Sequence, residues 1–306
     1  ILARALAWIA GYVVAWSIVV IALNAVAFAV LVGRGHSRAR VSAAWFWLVY
    51  ALLLGPIGMY RIDAVTVPLA VLGLLWLAGR PVVAAALLTV ATWMKVWPAA
   101  LIAAAVVALR RRLTVLASAA VVTALVLGVI VVLGGWSHAF GFIGEQTGRG
   151  LQIEAPVSAF YLWQAVAGVS GSFLYYDPDI LTFQVTGPNV DVVIATMTPL
   201  LFVAIVALAA LGAYKAWRGA STVRLLPPLA LALVLAFIVF NKVGSPQFQA
   251  WLIAPLVFWI VLDRKRAATA AALSLVSAAL TQVVYPIVYG GVLNAQPVPI
   301  ALLPAR

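Results

Sequence analysis

Four stretches of this chain, Tyr12–Val32, Leu113–Leu133, Val192–Ala213 and Ala267–Val284, are each close to the ~20 apolar residues a helix needs to cross the hydrocarbon core of a bilayer. A segment in lipid must satisfy its own backbone polar groups, so runs of this kind predict helices. Two thirds of the 306 residues are hydrophobic (66%) and only 8% are charged, which excludes a soluble domain. The expected fold class is all-α: a polytopic transmembrane helical bundle of about 8–10 membrane helices with one further interfacial helix. A formal charge of +12 raises the question of nucleic acid. However, the cations sit in short clusters between apolar runs, and no basic, aromatic-interleaved stretch is present, so no nucleic-acid partner is expected. Cysteine is absent, which removes disulfides, thiolate metal sites and a cysteine nucleophile.

The Lys/Arg bias of short loops sets the expected orientation. The clusters Arg34, Arg38 and Arg40; Arg80; Arg110, Arg111 and Arg112; Lys215, Arg218 and Arg224; and Arg264, Lys265 and Arg266 are all assigned to the cytoplasm. The first run then ends inward at Arg34, and the next, about Val41–Gly55, leads out to a loop with Tyr60, Arg61 and Asp63. Three shorter apolar runs follow before Arg110, broken at Gly79-Arg80-Pro81 and at Trp93-Met94-Lys95-Val96-Trp97-Pro98. They are short for full crossings, so broken or tilted helices are expected, with Lys95 on the outer side or within the bundle. Leu113–Leu133 goes out, Val192–Ala213 returns, Leu225–Phe240 goes out, Trp251–Leu262 comes back and the last strong run leaves again. Six of the seven acids thereby fall on the outer side, and Asp263 is the sole inner one.

The longest outer segment, residues 134–191, carries His138, Glu145, Arg149, Glu154, Asp177, Asp179 and Asp191. Its middle, Ala155–Val169, reads as an amphipathic helix lying in the interface. Without internal repeats or a long linker, the chain reads as one domain over 1–306, with 134–191 as its outer loop region.

Ionisable groups at membrane depth are costly unless paired or facing water, so they are functional candidates. Arg61 with Asp63, Lys95, and Lys242 with the amides of Asn241, Gln247 and Gln249 meet that description. Each has a structural alternative: Arg61 and Asp63 as an ion pair fixing a loop, and either lysine snorkelling to the headgroups. In the run Glu145-Gln146-Thr147-Gly148-Arg149-Gly150-Leu151-Gln152-Ile153-Glu154, two glycines permit a tight backbone path around a guanidinium that can grip a phosphate or a sugar. Glu145, Gln152 and Glu154 add groups that bind sugar hydroxyls, and the alternative is a solvated loop with internal ion pairs. Asp177-Pro178-Asp179 reads as turn chemistry. A metal site there lacks a nearby ligand cluster, and isolated His138 is a poor base or ligand, so no metal is expected. The many tryptophans read mainly as interface anchors or packing.

The run Arg61-Ile62-Asp63, an apolar helix, Gly79-Arg80, a second apolar helix and then Thr92-Trp93-Met94-Lys95-Val96-Trp97-Pro98-Ala99 resembles the middle of the family 87 glycosyltransferases. These are bacterial GT-C membrane enzymes that use polyprenyl-phosphate sugars. Arg149-Gly150-Leu151-Gln152-Ile153-Glu154 and Asn241-Lys242-Val243-Gly244-Ser245-Pro246-Gln247-Phe248 are similar to segments of actinobacterial members, so the resemblance spans roughly Val41 to Leu262. It implies a GT-C bundle and the transfer of a sugar, mannose first, from a polyprenyl-phosphate donor to a lipid-anchored glycan or glycolipid of the cell envelope, on the outer face of the cell membrane. GT-C enzymes carry an aspartate just after their first membrane helix, and here no acid precedes Asp63. The resemblance therefore implies that a helix and its catalytic loop precede Ile1. If the chain is complete, Asp63, Glu145 or Glu154 is the base.

The implied roles follow from the donor. Lys95, Arg149 and Lys242 would neutralise the leaving phosphate, and such stabilisation of developing charge is commonly the largest catalytic term. Arg61, Glu145, Gln152 and Gln247 would bind sugar or acceptor, and Asp63 or Glu154 would deprotonate the acceptor hydroxyl in an inverting displacement. The donor releases a lipid monophosphate, so neither a metal nor another cofactor is required. Two other classes remain open: a transporter or flippase for a lipid-linked sugar, and a non-catalytic membrane subunit.

Overall fold

The computed structural model describes residues 11–141 and 148–306. Apolar runs become helices over the expected stretches, with ends shifted by a few residues and the last two runs joined in one element: α1 (Tyr12–Val32), α2 (Arg38–Leu54), α6 (Arg112–Val132), α8 (Val190–Trp217), α9 (Thr222–Val239) and α10 (Ile253–Gln282). Six segments among the described residues are long and apolar enough to cross a membrane. Between α2 and α6 the three shorter runs form α3 (Asp63–Trp76), α4 (Pro81–Met94) and α5 (Ala99–Ala108). Proline opens α4 and Pro98 directly precedes α5, positions where its missing N–H costs nothing.

Helix α10 is two antiparallel arms. Asp263 within it is extended (φ −152°, ψ 82°), and the Ser277 hydroxyl donates to Gln249 Oε1 at 2.9 Å. Twenty-eight residues of straight helix would hold these groups roughly 40 Å apart, so the chain doubles back at Asp263. The Asp263 side chain accepts from the Arg266 backbone N–H at 3.2 Å and pairs with its guanidinium at 3.5 Å. It thus caps the returning arm where the positive N-terminal end of a helix favours an anion.

The basic clusters gather at the end of the bundle where this fold occurs. Arg264 donates to the Ser42 hydroxyl, Arg40 reaches the last carbonyls of α1, and Thr222 donates to the Ala108 carbonyl. The main core lies between α2, α3, α4, α5, α9 and α10, with Trp47, Tyr50, Leu74, Leu88, Leu101 and Val257 among its buried residues.

At the opposite end sits a second layer built from residues 148–190 and the C-terminal tail. Its helix α7 (Ser158–Val166) lies inside the span expected to be helical and is amphipathic, with Tyr161 and Leu162 buried while Phe160 and Trp163 are exposed. The all-α expectation needs a correction here. An antiparallel hairpin, β1 (Phe173–Asp177) and β2 (Thr182–Thr186), pairs Phe173 with Thr186 and Asp177 with Thr182. Residues 151–153 extend it, since Ile153 N–H donates to the Phe183 carbonyl and Val185 N–H to that of Leu151. Alternating Tyr, Phe, Gln and Val favour strand pairing, and the Asp177 carboxylate accepts from the N–H groups of Asp179 and Ile180 to close the turn. The turn chemistry read at Asp177-Pro178-Asp179 is thus present, with a hairpin around it. Two short helices, α11 (Tyr289–Leu293) and α12 (Pro297–Leu302), complete the layer, which has its own core of Leu151, Ile153, Leu162, Val284, Val292 and Ile300.

Candidate functional site

Asp63 is the first residue of α3 and Lys95 the residue capping the end of α4, so an acid meets a positive helix terminus and a base a negative one. Their side chains form an ion pair, Lys95 Nζ to Asp63 Oδ2 at 2.8 Å. The other carboxylate oxygen accepts from the Trp251 indole N–H. Asp63 is fully buried, whereas the Lys95 side chain retains 23% exposure. Aromatic rings enclose the ammonium: Nζ lies 4.8 Å from the centroid of Phe248 and 5.5 Å from that of Trp251, within the range of cation–π attraction. Trp97 stacks on Trp251 at 5.6 Å and donates to the Thr66 hydroxyl, which ties the cage to α3.

This pair is deep in the bundle. The Ala64 carbonyl accepts from Asn24, near the middle of α1, and Trp93 donates to Thr123, near the middle of α6. Helices α3 to α5 therefore stop about half-way up their long neighbours. That is why their apolar runs are short, and it sets the pair about half-way along the membrane-length helices α1 and α6. The ion pair between Arg61 and Asp63, the structural alternative for these two residues, is not formed: Arg61 is exposed in the loop before α3, and the carboxylate turns inward to Lys95.

The segment 241–252 joins this pair to the second layer. The Tyr50 hydroxyl donates to the Gln249 carbonyl at 2.7 Å in the buried core. Tyr50→Phe is expected to cost about 1–2 kcal/mol, since the carbonyl is left buried without its donor, read as a lower thermal unfolding midpoint of the purified protein. The Lys242 carbonyl accepts from the Gln152 N–H at 3.1 Å, and Gly244 lies directly on the Glu154–Ala155 peptide. Lys242 is buried, and burial lowers the pKa of its ammonium. Arg149 is half-buried, with a buried Nε that has no hydrogen-bond partner. Gln152 is buried and bridged to Gln184, and Gln247 is half-buried. Glu145 lies outside the described residues.

Glu154 is 5% exposed. Its Oε1 accepts from the Tyr289 hydroxyl at 2.6 Å, and Arg306 Nη2 donates to its backbone carbonyl at 2.8 Å and to that of Gly244 at 3.2 Å. Burial pushes the Glu154 carboxyl above the usual carboxylate range, against the opposing pull of the Tyr289 hydroxyl, its own backbone, the Arg306 charge and the Gln152 amide. A raised folded pKa means that the stabilisation is fully present below the ordinary carboxylate pKa and is lost as pH rises through the folded value. Glu154→Gln keeps the neutral form at every pH. It is expected to flatten that decline in a series of unfolding midpoints taken from acidic to neutral pH.

Glu154 and Arg306 line the polar end of a cavity of about 500 Å³, a size typical of small-molecule sites. Gly244, Ser245, Phe248, Gln249 and Ser277 continue that end, and the remainder is apolar, formed by Leu231 and Leu235 of α9, by Leu252 and Leu256 around the start of α10, and by Leu273 and Val276 of its returning arm. Of the residues singled out in the sequence as site candidates, Glu154 and Gln249 line this cavity, whereas Arg61, Asp63, Lys95, Arg149, Gln152, Lys242 and Gln247 do not. The Asp63–Lys95 pair and Lys242 are joined to it by the segment 241–252, which touches Glu154 at Gly244 and the pair at Phe248 and Trp251. Trp97, Trp251, Tyr289 and Arg306 were missed as site residues. The tryptophans carried a usable signal, because each lies within two or three residues of a candidate polar group. Neither a family model, nor a curated protein, nor a solved structure matches the chain.

Proposed function

We propose that this chain is a membrane glycosyltransferase of GT-C type that moves a sugar, mannose first, from a polyprenyl-phosphate donor to a lipid-anchored glycan. One observation carries the reading: a buried carboxyl of raised pKa, Glu154, stands at the polar end of a cavity whose other end is apolar helix surface. Such a cavity suits a molecule with a hydrophilic head and a hydrocarbon tail, and a carboxyl whose pKa is raised by burial is, once ionised, a stronger base than an ordinary carboxylate. Glu154 is the acid–base group of the proposal. Lys95, Arg149 and Lys242 meet the donor phosphate, and Arg61, Gln152 and Gln247 assist the sugars. Asp63, with both oxygens engaged and no exposure, is a positioning residue that holds Lys95 rather than a base. The transfer is a single inverting displacement on the outer face of the cell membrane.

The test is transfer of labelled mannose from its polyprenyl phosphate to membrane glycolipid by the full-length protein. Lys242→Ala is expected to lower the rate at least tenfold, in the range found when one charge-stabilising group is removed. No transfer from this donor or its arabinose counterpart, by protein that unfolds as cooperatively as the active preparation should, would sink the enzyme reading in favour of a carrier or subunit.

A further inference from the structure

Two buried polar atoms at the polar end of the 500 Å³ cavity have no hydrogen-bond partner: Glu154 Oε2 and Arg306 Nη1. The groups that bear them are fixed. Tyr289 holds the other carboxyl oxygen, and the two carbonyls of Glu154 and Gly244 hold the other amino group of the guanidinium. Orphaned buried donors and acceptors are uncommon because each forfeits its hydration. A ligand resolves both at once if it presents a donor beside an acceptor.

Neighbouring hydroxyls of a sugar do so: one O–H donates to Glu154 Oε2 while the adjacent oxygen accepts from Arg306 Nη1. Ser245, Gln249 and Ser277 offer further hydroxyl and amide groups at the same end, and Phe248 an aromatic surface. A phosphate head would also suit the guanidinium, but it brings acceptor oxygens to Glu154 Oε2 rather than the donor that a hydroxyl supplies. The hydroxylated head is the better match. Beyond it, the apolar wall runs along α9 from Val239 to Leu231, a length of roughly 12 Å at the helical rise. Its residues Leu235, Val239, Leu273 and Val276 are also exposed on the bundle surface, so a tail can enter sideways from lipid.

We propose that this cavity is a glycolipid site, in which Glu154 and Arg306 hold two adjacent oxygens of the sugar head and the hydrocarbon tail lies between α9 and the returning arm of α10. Naming its occupant the acceptor rests on the glycosyltransferase reading; the binding itself does not. Arg306 is then a positioning residue for that head.

The experiment is equilibrium binding of dodecyl mannoside to the full-length protein in nanodiscs free of sugar detergents, with dodecyl phosphate as the comparison. Dodecyl mannoside is expected to bind more tightly. Glu154→Gln and Arg306→Gln should each weaken it about tenfold or more, the range for hydrogen bonds to charged groups. Leu273→Trp, at a surface-exposed position on the apolar wall, should weaken it as well while keeping the wild-type unfolding midpoint, so the test survives if the polar variants fail to fold. Tighter binding of dodecyl phosphate, or a mannoside affinity unchanged in Leu273→Trp and in whichever polar variants fold, would overturn the site. Binding without sugar transfer from any donor would uphold this site and remove the enzyme. Sugar transfer with mannoside affinity unaltered in all folded variants would do the reverse.

Discussion

Lys95→Met is expected to be among the most destabilising single changes in the protein, at about 3–5 kcal/mol, because it strands a buried carboxylate. Asp63 has no exposure and would keep only the Trp251 indole as partner. The reverse change, Asp63→Asn, should cost less. The Lys95 side chain is 23% exposed and rests over two aromatic rings, so its charge has water and π-faces to turn to. The combination Asp63→Asn with Lys95→Met removes both charges and should recover most of the stability lost in Lys95→Met alone, as replacements of whole buried pairs often do. Denaturant or thermal unfolding of the four proteins in one detergent measures this asymmetry. Equal losses in the two single variants would show that the lysine is as dependent on the pair as the aspartate. In the transfer assay the double variant is expected to stay inactive, because the charge itself is what the donor phosphate meets.

Gly244→Ala is the second large effect. A β-carbon at this position would collide with the carbonyl carbon and oxygen of Glu154 and with the nitrogen of Ala155. Backbone on that side cannot swing away as a side-chain tip can, so segments 241–245 and 152–155 must part. A loss of more than about 4 kcal/mol, the exceptional end of single-site effects, is expected, together with loss of the cavity's polar end. Gly79→Ala is the control, since nothing lies within 4 Å of its would-be β-carbon. Hydrogen exchange should report the difference as lost protection at residues 151–155 and 183–185 in Gly244→Ala, with none in Gly79→Ala.

The two predictions concern residues whose importance was unequally visible beforehand. Lys95 and Lys242 stood out as cations in apolar surroundings, and Arg149 as a guanidinium flanked by two glycines. Gly244 was one glycine in a polar loop. Its close approach depends on a segment 90 residues earlier in the chain, and no local pattern reports that. The partner of Asp63 is hidden from the sequence for a similar reason. Arg61 is its nearest cation in sequence, but the helix begins at Asp63 and leaves Arg61 in the exposed loop. Helix geometry then aims the carboxylate at a partner 32 residues away.

Much of the bundle was determined by the sequence alone. The lengths of the apolar runs set which helices are long and which are short, and the cationic clusters between runs marked the ends, down to the fold-back at Asp263. These are local properties: a helix satisfies its own backbone, so its extent is written in consecutive residues. Tertiary structure alone decided the β-hairpin's place in the second layer, the half-height of α3 to α5, and the assembly of Glu154 with Tyr289 and Arg306 across 135 and 152 residues. Each of these depends on which surfaces meet in space. Long-range packing has no sequence period, so the polar groups of the site became a site only when the helices were assembled around them.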